Sequence, residues 1–145
     1  MTLTNANLYS NSYSQIKAFL NSISGLDPRH RYKANWIHSS MPNINEKGFD
    51  GYPFIVLLID LIEEIPSFDG ITFERIFRTQ IIIYADEPTH LDEISDKIAR
   101  DYKNESYLTD FQGKELNSSP INYTMDMKGK KILYRSLWLT FTKRI

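Results

Sequence analysis

The chain has 145 residues, with 17 Lys plus Arg against 18 Asp plus Glu and a net charge of -1. That length suits one domain able to bury a core without covalent staples. The near-zero charge excludes a global positive field for gripping nucleic acid, and the absence of cysteine excludes disulfides, thiol catalysis and Cys-based zinc sites.

Hydrophobic residues make up 41% and charged residues 24% of the chain, a balance that argues against global disorder. Nine Tyr and eight Phe supply contact residues for a core or an interface. Weak net charge also leaves copies of the chain little mutual repulsion. The polar stretch from Met1 to Ser14 lacks the apolar core of a signal peptide. The longest apolar run, Phe54 to Ile59, is too short to cross a bilayer. The expectation is a soluble protein, made in the cytoplasm, with no membrane contact.

Residues 1–11 are rich in Asn and Thr and read as a flexible lead-in. A first helix is expected from Tyr13 to Ser24. Ser12 with Gln15 fits a capping box, Ile16, Phe19, Leu20 and Ile23 form one stripe, and Gly25 is the stop. Arg31 to Ser39 reads as the first strand. The next stretch, to Pro53, holds two Pro and two Gly and reads as an irregular loop. Tyr52 to Ile62 is a second strand whose unbroken apolar run asks for cover on both faces. Glu63 to Gly70 reads as an acidic turn.

Thr72 to Ala85 is a long third strand. Phe77, Thr79, Ile81, Ile83 and Ala85 should face the helices, while Arg78, Gln80, Ile82 and Tyr84 form a second, amphipathic phase. A second helix is expected from His90 to Tyr107, with Thr89 and Asp92 as a capping box and Leu91, Ile94, Ile98 and Tyr102 on one face. Leu108 to Pro120 reads as a loop. The chain ends in a hairpin: Ile121 to Met127, a turn at Lys128–Gly129, then Lys131 to Arg144. Both arms carry bulky residues, and the second carries them in both phases. One sheet face would satisfy the helices, so a second packing surface is expected.

The resulting class is α+β: a mostly antiparallel sheet with two helices on one face, in the order α-β-β-β-α-β-β, forming a single domain over residues 1–145.

No catalytic constellation is evident. His30, His38 and His90 lack the spacing of a helical metal site. Asp60, Glu63 and Glu64, with Asp69 and Glu74 nearby, could serve a magnesium-dependent nuclease, but they fit a solvated acidic rim better. No phosphate-cradling glycine loop is present. Arg29, Arg31 and Lys33, interleaved with His30, Tyr32 and Trp36, could touch a phosphate backbone or an acidic partner. So could Lys128, Lys130 and Lys131. Tyr9, Tyr13, Tyr32, Trp36 and Tyr52 are candidate interface anchors.

Several segments carry a family resemblance. They are FLNSISGL, RYKANWIHSS, GYPFIVL, FRTQIIIYAD, the helix after Pro88 and the terminal hairpin. In these the chain, from about Tyr13 onward, resembles the neck and tail-completion proteins of tailed bacteriophages, the tail terminators and head–tail joining proteins. The resemblance implies an antiparallel sheet flanked by two helices and a hexameric ring. It implies no enzyme activity, no cofactor and no metal. The functional surfaces would be ring interfaces and loops touching tail-tube and head-connector proteins, with DNA passing through the lumen in the virion. By element position these are the loop Met41 to Gly51, the strand Glu74 to Ala85 and the terminal strand, with Trp36, Tyr52, Arg78, Gln80, Ile82, Tyr84 and Trp138 as interface candidates. Two other readings stay open. One is a small nuclease using Asp60, Glu63 or Asp69. The other is a monomeric binding module using the Arg29 to Trp36 region.

Overall fold

The computed structural model describes residues 8–31, 36–66, 73–103, 108 and 111–144. Among them are two helices, α1 (Leu8–Ser22) and α2 (Pro88–Asp101). There are six strands: β1 (Ile37–His38), β2 (Phe54–Pro66), β3 (Phe73–Ala85), β4 (Gln112–Ser118), β5 (Asn122–Met125) and β6 (Lys131–Arg144). They form one sheet in the order β1-β2-β3-β6-β4, with β5 beside the start of β6. All pairings are antiparallel except β1 with β2. The expected α+β class, with both helices on one face, is what the chain adopts.

The alternation of β3 organises this arrangement. Phe77, Thr79, Ile81, Ile83 and Ala85 are each 0% exposed. Their cross-strand neighbours on the same face include Ile55 and Leu57 of β2 and Leu137, Leu139 and Phe141 of β6, all buried. Helix α1 covers the β2 side and α2 the β3–β6 side. The stripe Ile16, Phe19, Leu20 and Ile23 enters this core from α1, and Leu91, Ile94 and Ile98 enter it from α2. The Lys97 ammonium of α2 donates to the Gly25 carbonyl just after α1. Lys143 of β6 donates to Gln15 of α1 at 2.6 Å.

Several expectations are corrected. Helix α1 begins at Leu8, so residues 8–11 are helical rather than a loose lead-in. Ser12 is therefore no cap: it lies inside the helix on the buried face, 0% exposed. Helix α2 begins at Pro88, where the missing N–H costs nothing. Its N-cap, Glu87, makes no side-chain cap bond, so the Thr89–Asp92 box is not used. The helix ends at Asp101; residues 104–107, which the expected helix included, lie outside the described residues.

Of the expected first strand, only Ile37–His38 is paired, and residues 32–35 lie outside the described set. Strand β2 runs on through Glu63, Glu64 and Ile65, where an acidic turn was expected. A bulge between Leu61 and Glu63 breaks its register. The segment expected as a loop after α2 contains β4. Its polar sequence hides this, but β6 offers a long free edge, and Glu115 to Ser118 pair along it. Phe111 anchors the approach, stacked on Phe141 at 4.0 Å between ring centres.

The buried hydroxyl of Thr79 has no hydrogen-bond partner among the described residues. An unpaired buried hydroxyl carries its desolvation cost uncompensated. Thr79→Val keeps the branched shape and removes that cost. Urea unfolding is expected to show a gain of about 1 kcal/mol.

Candidate functional site

The sheet face away from the helices carries most of the residues singled out from the sequence. Directly opposed pairs share a face, so the register places Leu58 beside Gln80 and Trp138, and Asp60 beside Arg78 and Thr140. Val56, Ile82 and Ser136 form the next row, and Phe54, Tyr84 and Tyr134 the last. Arg78, Gln80, Ile82, Tyr84 and Trp138 thus lie on one surface. Arg78 is exposed and the other four are half-buried. Gln80 donates to the Ser136 hydroxyl at 3.1 Å. Because of the bulge, Glu63 and Ile65 of β2 also turn to this face, opposite Ile76 and Glu74.

One end of this face is closed by aromatic rings. Phe54 stacks on Tyr84 at 5.0 Å, and Tyr84 lies 5.7 Å from Tyr134. Phe49 packs edge-on against Tyr52 and Phe54. The loop expected to be irregular thus folds back as a lid over the end of the sheet. Gly51 lets it do so. Its φ is +83°, and a Cβ there would stand 2.8 Å from the Arg29 guanidinium.

Trp36 and Tyr52 are placed differently from the other five. Trp36 is only 8% exposed and belongs to the core. Its ring lies under the Arg31 guanidinium at 5.7 Å. Tyr52 is half-buried and donates from its hydroxyl to Asp126 in the turn between β5 and β6 at 3.0 Å. Burial, reinforced by the Asp126 carboxylate, pushes the Tyr52 phenol well above its ordinary value.

The basic cluster before β1 has a structural job. Arg31 donates to Asp27 at 2.8 Å, to the Asp50 carbonyl at 2.9 Å and to the Pro53 carbonyl at 2.6 Å. Arg29 donates to the Tyr52 carbonyl at 2.8 Å. These carbonyls belong to the lid loop, so the two arginines staple it in place. Burial pulls the Asp27 carboxyl upward. Hydrogen bonds and charge from Arg31, with the backbone N–H groups of Arg29 and Arg31, outweigh burial and hold it below its ordinary value. Lys33 and Tyr32 lie outside the described residues.

The nuclease reading gains no site among the described residues. Asp60, Glu63 and Glu64 are exposed, and Glu64 pairs with Arg75 at 2.8 Å. Asp69 lies outside the described residues. Among the described residues, no three His, Cys, Asp or Glu side chains are grouped to hold a metal. A polar cleft of about 440 Å³ is lined by Arg29, Gly51, Tyr52, Asp86, Glu87, His90 and Lys130. Its polar groups are held within the protein: Lys130 pairs with Asp86 at 2.9 Å, His90 Nε2 stands 3.4 Å from the Glu87 carboxyl, and Arg29 donates to the Asp50 and Tyr52 carbonyls. No described helix is long and apolar enough to cross a membrane.

Sequence reasoning expected a second packing surface from the bulky hairpin arms, yet the outer strip of the first arm is absent from its interface candidates. Ile121, Tyr123, Met125 and Met127 are 41%, 68%, 66% and 72% exposed. Their alternation is plain in the sequence, but it reads equally well as a buried face. Asp126 shapes the turn below them. It accepts from the backbone N–H groups of Lys128 and Lys130 at 2.8 and 2.9 Å. Gly129, at φ +79°, donates back to the Asp126 carbonyl. The bond from the Lys130 N–H, followed by those from Lys128 and Tyr52, holds the Asp126 carboxyl below its ordinary value.

No family model matches the sequence, and no curated protein matches it. A solved structure described as the virion of a native gene transfer agent particle contains a chain of similar fold. The TM-score is 0.50 at 10% identity, over 98% of this chain and 99% of that one. At that identity the likeness is one of fold, and it runs the length of both chains.

Two outcomes follow from the clasps. Arg31→Met leaves the Asp27 carboxylate buried without its partner and the lid carbonyls without donors. A loss of about 3 kcal/mol in unfolding free energy is expected. The lowered folded-state values of Asp27 and Asp126 mean that their stabilisation is present above the ordinary carboxylate range. It is lost as pH falls through the lowered values. Stability should therefore decline from about pH 5 to about pH 2. Asp126→Asn should flatten that decline, as read by denaturant titration at each pH.

Proposed function

We propose that this chain is a virion structural protein, without catalytic activity, that assembles with other virion proteins. The observation that carries this reading is the end-to-end likeness of fold to a chain of a gene transfer agent virion. More finely, the reading is a ring of six copies at the neck or tail end of a tailed phage. The ring acts as tail terminator or head–tail joint and meets tail-tube and connector proteins. DNA passes through its lumen without specific binding. Its place is the virion, after assembly in the host cytoplasm.

The physical character of the chain supports this. A sheet with helices on one face and half-buried Ile82, Tyr84 and Trp138 on the other has surface left for neighbours. The near-neutral charge does not oppose self-association. The work of such a protein is geometric: matching symmetries, stopping a tube and leaving a channel.

Light scattering behind a sizing column, over a wide range of concentration, tests the ring. The expected mass is that of a hexamer, visible as a ring with an open lumen by electron microscopy. A mass of one chain at every concentration would overturn the ring.

A further inference from the structure

Two unlike surfaces are left uncovered in the described chain. One is the hairpin. Ile121, Tyr123, Met125 and Met127 are 41% to 72% exposed and lie along β5 and its extension. The outer edge of β5 has no partner among the described residues. Lys128 and Lys131 stand exposed at the turn, with the Lys131 ammonium 4.3 Å over the Tyr123 ring. A scattered exposed Leu is ordinary; four large apolar side chains in a row call for a partner.

The other surface is the helix-free face of the sheet. At its centre Leu58 is 39% exposed, with Trp138 half-buried in the same row and Ile82 half-buried in the next; Ile65, also 39% exposed, lies on this face at the far end of β2, opposite Glu74. Asp60, Glu63 and Glu115 are exposed around this centre. Arg78, also exposed, stands directly across from Asp60. The hairpin is apolar with a basic tip, and the face is apolar with an acidic border. The two complement each other in hydrophobicity and in charge. Within one chain the register keeps them apart: β5 lies outside β6, which is separated from β2 by β3.

We propose that the β5–β6 hairpin of one copy lies across the helix-free sheet face of a second copy. Tyr123, Met125 and Met127 seat on Leu58, Ile82 and Trp138, and Lys128 and Lys131 meet Asp60 and Glu63. Methionine and aromatic side chains suit the centre of such a contact. Because donor and acceptor are different patches, the contact is heterologous and repeats head to tail. A closed ring results when the rotation closes. This deepens the ring reading and rests on it.

The test uses two exposed-residue variants, Met125→Asp in the hairpin and Leu58→Asp on the face, alone and mixed. Each alone is expected to stay monomeric where the wild type assembles. The equimolar mixture is expected to give a dimer and nothing larger. Leu58→Asp supplies an intact hairpin and Met125→Asp an intact face, and no further contact can form. Tyr123→Asp repeats the hairpin arm independently, and melting curves matching wild type show that the variants are folded. If the wild type assembles and the variants assemble equally well, or if folded variants fail to pair on mixing, the hairpin-on-face contact is wrong while the ring stands. A wild type that is monomeric at every concentration overturns both.

Discussion

The period of two along β3 is the constraint on which the rest depends. Paired on both sides, by β2 and by β6, this strand sorts the side chains of three strands at once. One phase is sealed beneath α1 and α2. The other is left half-wet, with Ile82, Tyr84 and Trp138 on it. A slip of one residue would exchange the two faces, so the dry phase locks the register and thereby determines what the open face presents. Arg78, Gln80, Ile82, Tyr84 and Trp138 lie together because the core requires it.

Polar clasps do a second job, closing the irregular parts of the chain onto this frame. Arg31 and Arg29 gather the carbonyls of the lid loop, with Asp27 as counter-charge. Tyr52 then reaches the turn of the hairpin through Asp126. The lid, the end of the sheet and the hairpin are thus linked by hydrogen bonds between segments far apart in sequence. This linkage holds the hairpin in a defined direction while its apolar strip stays uncovered. A strip held in a defined direction can be recognised by a partner at low entropic cost.

Among the described residues the chemistry-bearing side chains do not converge. The carboxylates at the far end of β2 are spread along a strand and solvated, and in the polar cleft beside α2 Lys130 is paired with Asp86 while Arg29 donates to backbone carbonyls. What is concentrated is contact chemistry: aromatic rings, methionines and lysines at the hairpin, and aliphatic and acidic residues on the sheet face.

Elements with a strong period were readable before any fold was known. The stripe Ile16, Phe19, Leu20 and Ile23, the run Leu91, Ile94 and Ile98, the alternation of Phe77 to Ala85 and the Gly129 turn were all legible, since each is a local consequence of backbone geometry. From them followed the α+β class, the two helices on one face and the shared phase of Arg78, Gln80, Ile82 and Tyr84; Trp138 joined that surface only through the pairing of β3 with β6. The remainder depends on contacts between segments distant in sequence. Strand β4 exists because the free edge of β6 demands hydrogen bonds, which no property of the polar segment around Leu116 announces. Trp36 is core, and Arg31 is a staple because its acceptors lie in a loop about twenty residues away in sequence. The hairpin strip stayed exposed because no helix reaches it. Alternation records which side chains share a side; what covers that side is a property of the whole fold.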